Sequence, residues 1–135
     1  VEKRYLALLD GHLDQPRVDV DMPLKKIRDG SGQHRVVPAD DGQTARSSFK
    51  RLEKLQRHDF VEVRIETGRT HQIRAHARFL GTPVAGDERY NPGSPPAGLD
   101  RLFLHAGSLR LPWPEDQVFS SPLPADLNQI LERLR

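Results

Sequence analysis

The chain has 135 residues, 36 % hydrophobic and 30 % charged, with a formal net charge of +2 and no cysteine. That length gives one domain with a modest core, and the composition excludes a disordered chain. The absence of cysteine excludes disulfides, cysteine zinc sites and a cysteine nucleophile, and fits a reducing compartment.

Taken in order, residues 1–11 contain the apolar run Tyr5-Leu6-Ala7-Leu8-Leu9, suited to a buried strand ending at Gly11. Residues 18–24 alternate Val18, Val20 and Met22 with Asp19 and Asp21, and Pro23 marks an edge or a strand end. Asp29-Gly30-Ser31-Gly32 and Asp40-Asp41-Gly42 are turns, with Arg35-Val36-Val37 a short strand between them. Residues 45–55 fit strand or helix, since Phe49, Leu52 and Leu55 have helical spacing; strand is favoured, because the Asp-Gly turn before them predicts a hairpin. In residues 60–66, Val61, Val63 and Ile65 alternate with Glu62, Arg64 and Glu66, so one strand face is apolar and the other charged. Gly68 is expected to turn the chain and Thr70 to cap a helix over 71–80. Ile73, Ala77 and Leu80 fall on one side of that helix; His71, Arg74 and Arg78 share another. Residues 91–98 hold three prolines and two glycines and read as loop. Leu102-Phe103-Leu104 and Leu109-Arg110-Leu111 are read as a strand pair around His105 and Ala106. Trp113, between two prolines, is read as a packing anchor. Residues 125–135 close the chain as an amphipathic helix with Leu127, Ile130, Leu131 and Leu134 on one face. No apolar run reaches membrane-spanning length and no secretory leader opens the chain, so a cytoplasmic location without a membrane partner is expected.

The charge placement around Gly68-Arg69-Thr70-His71-Gln72-Ile73-Arg74 is the chemical clue. A helix start carries partial positive charge and favours acidic neighbours, yet Arg69, His71 and Arg74 cluster there. An anion answers that arrangement, either a phosphate or a carboxylate from elsewhere; the plainer reading is a solvated basic helix start. Residues 44–78 hold nine basic and four acidic side chains, a local excess of +5 that favours a phosphate-rich partner. Other chemistries lack their motifs. The six histidines show no metal-ligand spacing, and no nucleophile elbow, P-loop or dinucleotide fingerprint occurs. His105 is read as a packing residue and Asp87, after Gly86, as a turn residue.

With Gly68-Arg69-Thr70-His71-Gln72-Ile73-Arg74-Ala75-His76 in view, the chain resembles the RNA pseudouridine synthases that modify ribosomal and transfer RNA. Four further segments carry the resemblance in order: Lys3-Arg4-Tyr5-Leu6-Ala7 with Gly11, Gly81-Thr82-Pro83-Val84-Ala85-Gly86-Asp87 with Tyr90, Leu104-His105-Ala106, and Ser121-Pro122-Leu123-Pro124. It implies an α+β pseudouridine synthase fold, present in part. The expected form is a mixed, mostly antiparallel sheet with a central helix after the Gly-Arg-Thr-His-Gln-Ile-Arg motif and a C-terminal helix. It also implies uridine isomerisation in RNA, with large-subunit ribosomal RNA as the expected partner and no cofactor or metal. Tyr5 matches the family tyrosine that stacks on the flipped uracil, and Arg74 the basic residue that pairs with the catalytic aspartate. Arg69, His71 and Arg78 are expected RNA contacts, and Leu104 is expected to line the base pocket. One departure stands against these matches. The family's His-Arg-Leu-Asp motif, which holds the nucleophilic aspartate, is absent. Residues 1–135 are therefore expected to be the C-terminal part of a catalytic domain, inactive alone. The rival reading is a non-catalytic RNA-binding module.

Overall fold

Alternating apolar and polar residues build a six-stranded sheet, in the order β2-β5-β6-β1-β7-β8. The computed structural model describes residues 1–112 and 114–135, so the packing role read for Trp113 lies outside the described residues. The strands are β1 (Glu2–Asp10), β2 (Arg17–Asp21), β5 (Arg46–Lys54), β6 (His58–Ile65), β7 (Leu104–Leu111) and β8 (Gln117–Ser120). A separate hairpin joins β3 (Leu24–Arg28) to β4 (His34–Pro38), and the helices are α1 (Gln72–Phe79) and α2 (Ala125–Leu134). Every strand ladder is antiparallel; among the described residues the parallel pairing is an isolated bridge, Gly11 to His58. This is the expected α+β architecture with a mostly antiparallel sheet.

The two sheet faces bury different helices. Tyr5 pairs with Val63 and Ala7 with Val61, which puts these side chains on one face. There Ala7, Leu9, Val61, Val63 and Ile65 pack with Ile73 and Ala77 of α1. On the other face Leu8 and Phe103 pack with Leu127, Ile130 and Leu131 of α2, as the amphipathic pattern predicts. Leu24, Val36, Ala45, Ala75 and Tyr90 form a smaller cluster that seats the β3–β4 hairpin on α1.

Two expectations fail. The Asp40-Asp41-Gly42 turn does not join a hairpin, because β4 pairs with β3 and β5 pairs with β2 and β6. The strand pair read around His105 and Ala106 is one continuous strand, β7, whose partners are β1 and β8. The register skips Gly107, where β1 changes step between Arg4 and Tyr5. The glycine thus marks a bulge beside Tyr5 rather than a turn. His105 is hydrogen-bonded, through Nε2 to the Ser121 carbonyl (3.0 Å), but lies toward the surface rather than in the core.

A buried polar seam fixes α1 against β5. Gln72, Ser47 and His76 are all almost fully buried. Thr67 Oγ1–H donates to Gln72 Oε1 at 2.9 Å, as does the Arg69 N–H at 3.2 Å. Gln72 Nε2 donates to the Arg46 carbonyl (2.8 Å) and to Ser47 Oγ (3.0 Å). His76 Nε2 faces the Met22 carbonyl at 2.9 Å and so carries the proton, leaving Nδ1 to accept from the Ser47 hydroxyl at 2.8 Å. Each member is satisfied, which makes the seam costly to break. Ser47→Ala strands His76 Nδ1 and removes one Gln72 acceptor, and denaturant titration should show a loss of about 1–3 kcal/mol.

The seam also sets a pH response. Burial is the main cause holding the His76 pKa below its ordinary 6.5, and burial followed by Arg74 does the same at His71. Both rings are neutral in the fold, while the unfolded chain takes up protons first. Their stabilisation is therefore fully present above about pH 6.5 and lost as pH falls through the depressed folded pKa values. Urea midpoints should drop as pH falls below about 6.5, and His76→Gln should flatten that slope; an unchanged slope in that variant would contradict the assignment.

Candidate active site

The site forms where β6 hands over to α1. The structure corrects the local reading of that turn. Gly68 does not carry the left-handed conformation; His71 does, at φ 52° and ψ 26°. His71 rather than Thr70 is the N-cap residue, without a side-chain cap bond. A non-glycine residue in this region costs of order 1 kcal/mol and persists only where its surroundings hold it. Here Tyr90 does so. Its hydroxyl accepts the Val36 N–H at 2.9 Å and bonds His71 Nδ1 at 2.9 Å, and the rings meet edge-on with centroids 5.6 Å apart. With its hydroxyl proton donated to Nδ1, Tyr90 leaves the His71 proton on Nε2, in keeping with the lowered pKa.

A cavity of about 290 Å³ opens beside this turn. Its walls are Lys3 and Tyr5 from β1, Ile65 from β6, Gly68, Arg69 and His71 from the turn, Gln72, Ile73 and Arg74 from α1, and Leu102 and Leu104 from the start of β7. The structure thus brings together Tyr5, Arg69, His71, Arg74 and Leu104. Arg78 is not among them; it is exposed in the last turn of α1, where a cation suits the helix dipole. Among the described residues, no carboxylate lines the cavity.

Arg74 is held from behind. Its Nε donates to Asp87 Oδ2 and its Nη2 to Asp87 Oδ1, both at 2.8 Å. The Asp87 side chain is 0 % exposed and that of Arg74 18 %. The backbone N–H groups of Arg89 and Tyr90 donate to the same Oδ1 at 3.1 and 3.2 Å. The guanidinium carbon lies 5.1 Å from the Tyr90 ring centroid, within cation–π range. The bond to Asp87 is the main cause raising the Arg74 pKa above its ordinary value. Gly86 makes the turn possible: its φ is +77°, and a Cβ there would lie 2.2 Å from the Arg101 carbonyl oxygen.

The basic helix start is therefore answered within the chain. The carboxylate from elsewhere is Asp87, read from sequence only as a turn residue; it makes the turn and holds Arg74. Arg69 directs its Nε to the Thr44 carbonyl at 2.9 Å. Lys3 makes no ion pair among the described residues, and a Cβ on Gly68 would lie 3.2 Å from its ammonium nitrogen. Within the +5 segment four of the nine cations are paired among the described residues: Arg46, Arg51, Arg64 and Arg74 with Asp21, Asp59, Glu2 and Asp87. Sequence reasoning missed Asp87, Tyr90 and Lys3 as members of the site. Their signals were a carboxylate and an aromatic downstream of the helix and a cation two residues before Tyr5, none of which shows pairing. No group of three or more metal-ligating side chains occurs among the described residues, and no described helix is long and apolar enough to cross a membrane.

Comparison with known proteins gives the site its context. Residues 1–79 match the family model described as RNA pseudouridylate synthase. An uncharacterized RNA pseudouridine synthase of Chloroflexus aurantiacus is 39 % identical over 138 residues, covering 100 % of this chain and 43 % of that protein. Ribosomal large subunit pseudouridine synthase C of Haemophilus ducreyi is 36 % identical over 143 residues, covering 100 % of this chain and 45 % of its own length. The chain thus spans less than half of these relatives. The solved structure of human RNA Pseudouridylate Synthase Domain Containing 4 superposes with a TM-score of 0.78 at 26 % identity, over 99 % of this chain and 62 % of that one. A match over more than half of the chain, joined to the agreement in fold, makes this chain a member of the RNA pseudouridylate synthase family.

Proposed function

We propose that this chain forms the uridine-holding part of a pseudouridine synthase active site that acts on large-subunit ribosomal RNA in the cytoplasm. The observation that carries the reading is the single cavity shared by Tyr5, Arg74 and Leu104, which has no carboxylate in its walls among the described residues. The nucleophilic carboxylate comes from a segment outside residues 1–135, and this chain is the C-terminal part of the catalytic domain. The relatives named for large-subunit RNA support the substrate class.

The chemistry follows from the wall residues. A uridine flipped from its RNA stack enters the cavity, at a cost of a few kcal/mol offset by contacts there. Tyr5 stacks on the uracil, and Leu104 and Leu102 bound the apolar side. A carboxylate outside this chain attacks, and Arg74 keeps it ionised. The carboxylate's attack on C1′ displaces N1, the freed base turns, and C5 bonds to C1′ as the carboxylate leaves. The proton on C5 then leaves, with Tyr5 placed to assist, and N1 gains a proton. Lys3, Arg69, His71 and Arg78 contact the RNA backbone or hold the turn beside it.

Tritium placed at uracil C5 of an unmodified large-subunit RNA transcript reports turnover, since that atom is lost. In the whole enzyme, Tyr5→Phe should slow tritium release by about 10²–10⁴-fold, the range for a lost acid–base group, with RNA affinity kept. Arg74→Ala should lower kcat by about 10²–10³-fold, as for a lost electrostatic contact in a reaction centre. A non-catalytic RNA-binding module would instead show weaker binding and a shallower salt dependence in Arg74→Ala. Residues 1–135 alone should release no tritium; release by that chain would contradict a nucleophile supplied from elsewhere.

A further inference from the structure

Arg74 enters the cavity already committed. Two of its three guanidinium nitrogens, Nε and Nη2, are bound to Asp87, and only Nη1 has no acceptor among the described residues. Asp87 is itself immobilised. Its Oδ1 takes the Arg89 and Tyr90 N–H groups as well as Nη2, and its backbone follows a glycine that nothing larger can replace. The Tyr90 ring lies within cation–π range of the guanidinium, and the Tyr90 hydroxyl is pinned by the Val36 N–H and His71. The clamp is rigid from both directions, and its charge is cancelled at the source.

We propose that Asp87 is the positioning residue of Arg74, fixing the guanidinium so that the N–H groups not bonded to Asp87, two on Nη1 and one on Nη2, are presented to the reaction in one orientation rather than as a freely turning charge. This rests on the reading of Arg74 as an active-site residue. It carries a consequence for the charge balance. A carboxylate entering the cavity meets a pair whose charges already cancel, so Arg74 holds it by the direction of its free N–H groups more than by net charge. Lys3 and Arg69, without ion-pair partners among the described residues, are then the cavity's uncompensated cations. A merely structural Asp87 would matter for folding alone; a positioning Asp87 matters for turnover through Arg74.

The test is a double-mutant cycle in the whole enzyme, followed by tritium release from a transcript labelled at uracil C5, with melting temperature measured in parallel. Asp87→Asn keeps the shape but removes the charge and one acceptor from the clamp. Its kcat should fall by about 10²-fold, the scale of a misplaced reacting group, while KM for RNA stays within about twofold. Combined with Arg74→Ala, it should cause no loss beyond Arg74→Ala alone, because Asp87 acts through that residue. If Asp87→Asn does not fold, Asp87→Glu keeps the charge and shifts the guanidinium, and should lower kcat with a near-native melting temperature. Wild-type kcat in a folded Asp87 variant, or losses that multiply in the double mutant, would overturn the proposal. Wild-type kcat in Arg74→Ala would instead overturn the site reading itself and the proposal with it.

Discussion

The ion pair between Arg74 and Asp87 governs how the rest of the site is built. A guanidinium and a carboxylate mostly removed from water are stable together only with good geometry and their remaining valences satisfied. Both conditions are met: two bonds of 2.8 Å join the groups, and two backbone N–H donors complete Asp87. Meeting them dictates the surroundings. The turn at Gly86 must pass tightly under the Arg101 carbonyl, Tyr90 must lie beside the guanidinium, and His71 must sit in a left-handed conformation to meet the Tyr90 hydroxyl. Removing either charge alone would leave the other partly buried and unpaired, at a cost of about 3–5 kcal/mol.

The two motifs of this region act as one object folded from both ends of α1. The segment before the helix supplies the cavity wall, and the segment after it supplies the clamp. Between them, the polar seam of Gln72, Ser47 and His76 fixes the helix along its inner side. Gln72 and His76 are four residues apart and so share one helical face, while Arg74 projects elsewhere. This division explains why one short stretch carries so many polar residues on a helix of eight residues: one set fastens it, the other faces the site. The bulge at Gly107 adds a matching device on the sheet side, next to the strand position of Tyr5.

Much of the fold was legible because its elements are strongly patterned. Strand alternation in β6 and the apolar spacing of α2 place their buried faces without ambiguity. The misreadings have physical reasons. The strand pair read around His105 and Ala106 was a misreading because a bulge and a turn both break a run of apolar residues. Asp41-Gly42 looked like a hairpin because turn chemistry is local, whereas β4 and β5 take partners from distant parts of the chain. At the site, residue types pointed to Tyr5, Arg74 and Leu104 through family motifs, and the cavity unites them. What residue types could not supply was pairing. Asp87 lies thirteen residues beyond Arg74, and nothing in its local sequence separates a turn aspartate from one that also holds a guanidinium. The expectation of an anion near the basic helix start was sound in physics, and its answer came from inside the chain.

Cross-linking would test the central claim, that the cavity beside Tyr5 receives the target uridine, most directly. The whole protein would be irradiated with a large-subunit RNA transcript carrying 5-iodouridine in place of uridine, and the attached peptide sequenced by mass spectrometry. The account predicts attachment at Tyr5 in β1. Attachment confined to the charged sheet face of Arg4, Lys50 and Arg64, with none at Tyr5, would contradict it.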